Sequence, residues 1–357
     1  MEAKTGEKRK KPETDDGGAT KGQAKAEKGK GTAKGEVAAS SSSTKRARNY
    51  HTWTELLENT PVVEVCPKSK PLIVLQATTT LETALSTLAE NNILSAPVVE
   101  SKEKPDFLGF VDVLDVTGYV VRSWRHNPDR FDDADFVKQN LFQEHIRKVL
   151  NFSRVDDAVV IDEASSVADA IRVFTDPEKY HHHHRGSVHR IALMNAETKA
   201  ITNIVSQSDI IAFAHRNSDL LPNANKTLEE LRVMHANILV RVDSPFIDAL
   251  EILYMNRVSG ICLVDQESRV SGNLSASDLR SITPDSFKFF LGSTLQFLVK
   301  GTKSKLGAPV SCQRNTALKD ALALLVENHV HRIFVVDRND HTQGVVTLSD
   351  LLPLMRA

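Results

Sequence analysis

The stretch Leu325–Met355, LVENHVHRIFVVDRNDHTQGVVTLSDLLPLM, decides the fold. It opens on the end of an apolar-periodic helix and passes into a β-branched run at Ile333–Val336. A polar turn, Asp337–Gln343, leads to a second run at Gly344–Thr347. The stretch closes on Thr347-Leu348-Ser349-Asp350, where a new helix begins.

Working outward, the same order recurs in four copies, each strand-helix-strand-strand-helix. In the first copy, Pro71–Val74 is a predicted strand, Thr80–Asn91 a helix, Ala96–Val99 and Leu108–Val111 paired strands, and Asp115–Val121 the start of a second helix. The second copy runs through Ala158–Ile161, Ser166–Phe174, His189–Met194, Ala200–Val205 and Asp209–Ala214. The third runs through Ile238–Val242, Pro245–Met255, Gly260–Val264, Val270–Leu274 and Asp278–Ile282. The fourth supplies Pro309–Cys312, Thr316–Glu327, Arg332–Val336, Gly344–Thr347 and Asp350–Met355. The pairs Leu94/Asp115, His189/Asp209, Ser259/Asp278 and His331/Asp350 are each separated by about twenty residues, as a repeated supersecondary unit requires. A single copy is too small to close a core well, so copies should pack in pairs. Two insertions interrupt the period, Arg125–Val149 and Asp176–Ser187. The first is amphipathic between Trp124 and Phe142, which suits either a partner face or packing over the fold.

The 357 residues suggest two or three domains, and 41% hydrophobic content with a formal net charge of -1 provides for sizeable cores. No apolar run approaches membrane-span length and no signal-peptide core is present. Cys66, Cys262 and Cys312 match no zinc spacing and read as reduced thiols of an intracellular protein, cytoplasmic or nuclear. Residues 1–50 are low-complexity and are expected to be a disordered basic tail. Its clusters Lys8–Lys11 and Lys45–Arg48 fit a nuclear-import signal, a nucleic-acid contact or a solvating segment. Aromatics are absent before Tyr50, so a stacking platform has no material there. Gly-rich phosphate loops, Gly-x-Ser-x-Gly elbows and His-Glu-x-x-His pairs are all absent, so the chain is not expected to be an enzyme. His181–His184 resembles a metal cluster, but consecutive imidazoles seldom converge on one ion, and no metal is expected.

Four units, each ending in a strand followed by Ser/Thr-x-x-Asp, resemble tandem cystathionine-beta-synthase (CBS) domains over roughly residues 53–357. Four in one chain resemble the gamma, nucleotide-sensing subunits of AMP-activated protein kinase. The motifs that carry the resemblance are Val330-His331-Arg332-Ile333 with Gly344–Asp350, then Arg257-Val258-Ser259 with Ser275-Ala276-Ser277-Asp278. Val188-His189-Arg190-Ile191 with Ser206-Gln207-Ser208-Asp209 completes them.

The chemistry stands beside the resemblance. An aspartate in a helix's first turn is favoured by the helix dipole and can accept the vicinal hydroxyls of a ribose. The serine or threonine three residues earlier can bond a sugar, a phosphate or the free helix amides. On this basis the candidate nucleotide-binding groups are Asp350, Ser349 and Thr347, then Asp278 and Ser275, then Asp209 and Ser206, and Asp115. His331, Arg332, His189 and Arg190 are basic donors for phosphate, joined by Arg257, Ser259 and Thr316. In the first copy Asp112 fills the Ser/Thr position and Leu94 the basic one, so that site should be weak, altered or empty. Asp209 is intact, although gamma subunits often lack an aspartate in that copy.

The expectation is therefore an α+β protein of four CBS repeats in two pairs, forming a flat disc. Its divisions are a tail at 1–50, repeats at 53–125, 151–217, 226–285 and 286–357, and a linker insertion at 126–150. The resemblance implies a non-catalytic regulator binding AMP, ADP or ATP, with a protein kinase catalytic subunit and a scaffold subunit as partners and neither membrane nor nucleic acid. A free-standing CBS energy sensor, a scaffold with decayed sites, and nucleic-acid binding through the tail remain alternatives.

Overall fold

The computed structural model describes residues 50–356 apart from 68–70, 132, 155–157, 177–187, 281, 284–285, 287–288 and 302–308. The expected tail, the His181–His184 loop and part of each insertion lie outside the described residues. Among the described residues the strands form four three-stranded sheets: β1 (Leu75–Gln76), β2 (Ser95–Val99) and β3 (Phe107–Asp112); β4 (Val159–Asp162), β5 (Arg190–Met194) and β6 (Ile201–Ser206); β7 (Leu239–Arg241), β8 (Gly260–Val264) and β9 (Val270–Ser275); β10 (Ser311–Cys312), β11 (Arg332–Val336) and β12 (Thr342–Thr347). In each sheet the first two strands are parallel and the last two antiparallel.

The hairpin register repeats too. Ser95, Arg190, Gly260 and Arg332, which open the middle strands, face Asp112, Ser206, Ser275 and Thr347. Each hairpin is irregular at the end of its middle strand, between Val98 and Val99, Leu193 and Met194, Leu263 and Val264, and Val335 and Val336. The same two-against-one bulge position in four sheets marks one repeated design.

The helices follow from local signals. α1 (Trp53–Asn59) precedes the first sheet, α2 (Leu81–Glu90) crosses within it, and α3 (Val113–His126) leaves it. The second copy has α4 (Val167–Thr175) and α5 (Gln207–Arg216), and α6 (Leu228–Leu231) precedes the third. The third has α7 (Phe246–Asn256) and α8 (Ala276–Leu279), and the fourth α9 (Leu318–Glu327) and α10 (Leu348–Leu351). Thr80 and Ser166 cap α2 and α4 through their hydroxyls, which satisfies amides that otherwise lack partners. One expectation fails: Pro71–Val74 is not a strand, and β1 begins at Leu75. Pro71 has no amide hydrogen to give a ladder.

Two kinds of interface join the copies. Helices bring the first and third copies into one apolar core, where α3 packs on α7, and the second and fourth into another, where α5 packs on α9. The α3–α7 approach is close: a Cβ at Gly118 would lie 2.7 Å from the Tyr254 ring. Strands join the third copy to the fourth through Cys262, Val264, Phe334 and Val336. The Arg190–Asp112 ion pair links the second copy to the first.

The connecting segments are parts of this architecture. Phe131, Val137, Leu141, Phe142, Ile146 and Val149 are buried in the core of the first and third copies. Packing over the fold is thus the role of the described part of the first insertion. Its backbone clasps the start of α2, with Leu81 N donating to Glu144 O at 2.9 Å and Ile146 N to Thr79 O at 2.8 Å. The second half repeats the clasp, with Phe246 N donating to Gly292 O at 2.9 Å and Thr294 N to Ser244 O at 2.7 Å. There Phe297 stacks on Phe246 with ring centroids 3.5 Å apart and meets Phe290 edge-on.

Candidate functional site

The Ser/Thr-x-x-Asp motif first serves the backbone. In all four copies the residue ending the third strand is the N-cap and the aspartate sits at the third helical position, forming a capping box. Asp209 Oδ2 accepts from Ser206 N at 2.8 Å and Ser206 Oγ at 2.7 Å. Asp278 Oδ2 accepts from Ser275 N at 2.8 Å and Oγ at 2.9 Å, and Asp350 Oδ2 from Thr347 N at 2.8 Å and Oγ1 at 2.7 Å. One oxygen of each carboxylate is thereby committed to folding.

The second oxygens differ. Asp115 Oδ1 accepts from Ser153 N at 2.9 Å and Ser153 Oγ at 2.7 Å, and its residue is only 4% exposed. Burial, and next the neighbouring Asp112 carboxylate, raise the Asp115 carboxyl to about 7 against the hydrogen bonds it accepts. Asp350 Oδ1 is met by His235 Nε2 at 2.7 Å. Asp209 Oδ1 and Asp278 Oδ1 have no side-chain partner among the described residues, and burial raises both carboxyls above their usual range.

The basic residues diverge as well. Arg190 crosses to Asp112 in the first copy, and the two side chains are 14% and 10% exposed. Arg332 crosses to the third copy, donating from Nη2 to Ser259 Oγ at 2.7 Å, and its guanidinium lies where a Cβ on Gly260 would be. A side chain at 260 would displace the guanidinium from that position. Burial lowers Arg332 to about 10, opposed by Asp278, so the group stays charged at neutral pH. His331 is pushed down to about 4 by its enclosed position, then by the charges of Arg332, Arg190 and His189. The residue nonetheless keeps exposed surface and lines the cavity described next.

A cavity of about 450 Å³ collects side chains from all four copies. The first copy gives Ile93, Leu94, Asp112 and Leu114, and the second His189, Arg190, Ser206 and Asp209. Arg257, Val258 and Ser259 come from the third, and His331, Thr347, Leu348 and Ser349 from the fourth. Of the sequence candidates, Asp115, Asp278, Ser275, Asp350, Arg332 and Thr316 do not line it. Thr316 instead accepts from Gln313 N at the start of α9. Sequence reasoning missed three participants. Gln207, inside the second copy's motif, donates to Val188 O and accepts from Ser349 Oγ at 3.1 Å, tying the second copy to the fourth. Asp112 is the arginine's partner, and His235 lies outside every motif. Among the described residues no group of His, Cys, Asp or Glu is placed to hold a metal ion, and no helix is long and apolar enough to cross a membrane.

The CBS domain model matches residues 62–122, 228–284 and 307–357, the first, third and fourth copies. The second copy, outside those matches, has the same strand order and register. Among curated proteins, the 5'-AMP-activated protein kinase subunit gamma of Kluyveromyces lactis is 23% identical over 83% of this chain and 88% of its own length. Protein SDS23 of Candida albicans is 23% identical over 84% of this chain and 51% of its own, and the human kinase subunit gamma-3 is 22% identical over 80% and 56%. The chain thus spans about half the length of the latter two. Among solved structures, protein MJ1225 of Methanocaldococcus jannaschii superposes with a TM-score of 0.64 at 17% identity, over 82% of this chain and 99% of that one. Three of the four copies thus carry CBS-domain sequence, and the chain is similar over most of its length to gamma subunits of AMP-activated protein kinase.

Proposed function

We propose that this chain is a free-standing regulator that binds an adenine nucleotide in the cavity where its four copies converge. The observation that carries this reading is the composition of that one cavity. Arg257, His189 and His331 offer donors to phosphate, Asp209 and the surrounding hydroxyls offer partners to a sugar, and Leu94, Val258 and Leu348 offer apolar walls to a base. Its volume of about 450 Å³ suits a ligand of nucleotide size.

Because the lining comes from every copy, a ligand there touches both strand interfaces at once. AMP, ADP and ATP differ in phosphate charge, so each favours the arrangement of copies that best brings Arg257 and the two histidines together. A ligand shifts the arrangement only as far as its affinities for the two arrangements differ. Thermal unfolding with AMP, ADP and ATP tests the binding. At about 100 times Kd a ligand stabilises the fold by about 2.7 kcal/mol. No shift in unfolding temperature at millimolar concentration of any of the three rejects the reading in favour of a scaffold.

A second reading is favoured by the match over 88% of the Kluyveromyces lactis gamma subunit. Under it the chain joins a protein kinase catalytic subunit and a scaffold subunit. Affinity purification of the full chain from its own cells separates the two, since a stoichiometric kinase would displace the free-standing reading.

A further inference from the structure

Four equivalent aspartates suggest four equivalent ribose positions, but their second oxygens are not equivalent. Asp115 is closed by Ser153. Asp278 lies away from the cavity lining, and the nearby charge of Arg332 is held to Ser259. Asp350 also lies off the lining, with its Oδ1 met by His235. Asp209 alone among the four lines the cavity, and its Oδ1 has no partner among the described residues. Cys66, close enough to feel the Asp209 charge, directs its thiol to Val62 O at 3.6 Å and leaves the carboxylate untouched.

His235 is held firmly in its place. Its backbone forms a two-way bridge with Val345 on β12, His235 N donating to Val345 O at 3.0 Å and Val345 N to His235 O at 2.9 Å. A Cβ at Gly344 would lie 2.8 Å from the His235 carbonyl, so a residue without a side chain admits this strap. The imidazole is 65% exposed and yet ends on a carboxylate oxygen.

We propose that the ligand's ribose diol is taken by Asp209 of the second copy, and that His235 is an internal occupant of the fourth copy's carboxylate. This rests on the nucleotide reading and specifies it. The chain then binds one nucleotide at a time, and a second sugar gains Asp350 only by displacing the imidazole. The fourth-copy position is thus latent, and His235 determines how many ligands the chain holds.

Isothermal titration of the full chain with ADP and with 2′,3′-dideoxy-ADP tests this, using wild type, Asp209→Asn and His235→Ala. Wild type should bind one ADP per chain, and the dideoxy analogue at least about tenfold more weakly, having lost both hydroxyls that the charged carboxylate would accept from. Asp209→Asn should bind both equally, and His235→Ala should bind a second equivalent of ADP. If Asp209→Asn unfolds, the imidazole proton signals of His235 in wild type decide: they should stay unmoved through the first ADP equivalent. A diol preference that survives in Asp209→Asn, a single equivalent in His235→Ala, or a His235 signal that moves with the first equivalent overturns the inference while leaving nucleotide binding intact. Wild type that binds neither analogue overturns both.

Discussion

A phosphate bound in the cavity should draw a proton onto His331. Without ligand the imidazole sits at about 4, lowered by its enclosure and then by Arg332, Arg190 and His189, so it is neutral at pH 7. A phosphate charge about 4 Å away, at an effective dielectric of about 20, stabilises the imidazolium by about 4 kcal/mol, which returns the group to about 7. A group that moves from about 4 to about 7 strengthens binding about tenfold between pH 8 and pH 6, because the bound state holds a proton that the free state lacks. The second ionisation of the phosphate, near about 6, works in the opposite direction. The quantity to read is therefore the pH 6 to pH 8 affinity ratio of wild type divided by that of His331→Gln, expected to be about ten. Calorimetry in two buffers of different ionisation enthalpy should also show wild type taking up about 0.9 proton more than the variant at pH 6, the phosphate's own ionisation cancelling in the difference. An equal affinity ratio in the two proteins, or equal proton exchange, would refute the placement of phosphate beside His331.

Arg190→Leu leaves Asp112, 10% exposed, without its counter-charge, and should cost about 3 kcal/mol in urea unfolding. Adding Asp112→Asn should recover most of that loss. Phe297→Ala empties a fully buried site stacked on Phe246, and about 3–5 kcal/mol should be lost in the same measurement. Asp115, raised to about 7 by burial and then by Asp112, is above its unfolded value near 3.8. The stability it contributes is present below pH 3.8 and is lost as pH rises through 7, on the order of a few kcal/mol. His331, lowered, works with the opposite sign between about 4 and 6.5. The check is therefore the difference between wild type and Asp115→Asn at pH 5 and pH 8, which should favour the variant more at pH 8.

The repeat was legible because its signals are local. Apolar faces at helical spacing, caps such as Ser166, and β-branched runs such as Ile333–Val336 are properties of neighbouring residues. What each face packs against is not local. The apolar stripe of α3 is satisfied by α7 and that of α5 by α9, while the strands pair the copies differently, and nothing within a helix names its partner. The first strands were the least legible for the same reason. β1 and β10 are two residues long and exist because β2 and β11 offer a parallel edge, so Pro71–Val74 could read as a strand while lying outside one. The segment Trp124–Phe142 left two readings open because an amphipathic stripe suits either; burial of Phe131 and Phe142 decides for the fold.

The site was legible to the same depth. Ser/Thr-x-x-Asp recurs because every final helix must satisfy its own first amides, and that need fixes one oxygen of each aspartate whether or not a ligand ever arrives. Recurrence of the motif is therefore evidence about the fold before it is evidence about binding. What separates the copies is the partner of the other oxygen, and those partners come from elsewhere in the chain. Ser153 reaches Asp115 from 38 residues away, and His235 reaches Asp350 from the segment of the third copy that precedes β7. The arginines follow the same logic, since Arg190 and Arg332 occupy matching register positions but meet Asp112 in one case and Ser259 in the other. A change confined to one capping aspartate should accordingly weaken one helix start in every copy. A change in ligand preference should follow only where the second oxygen is open, and Asp209 is where the cavity meets one.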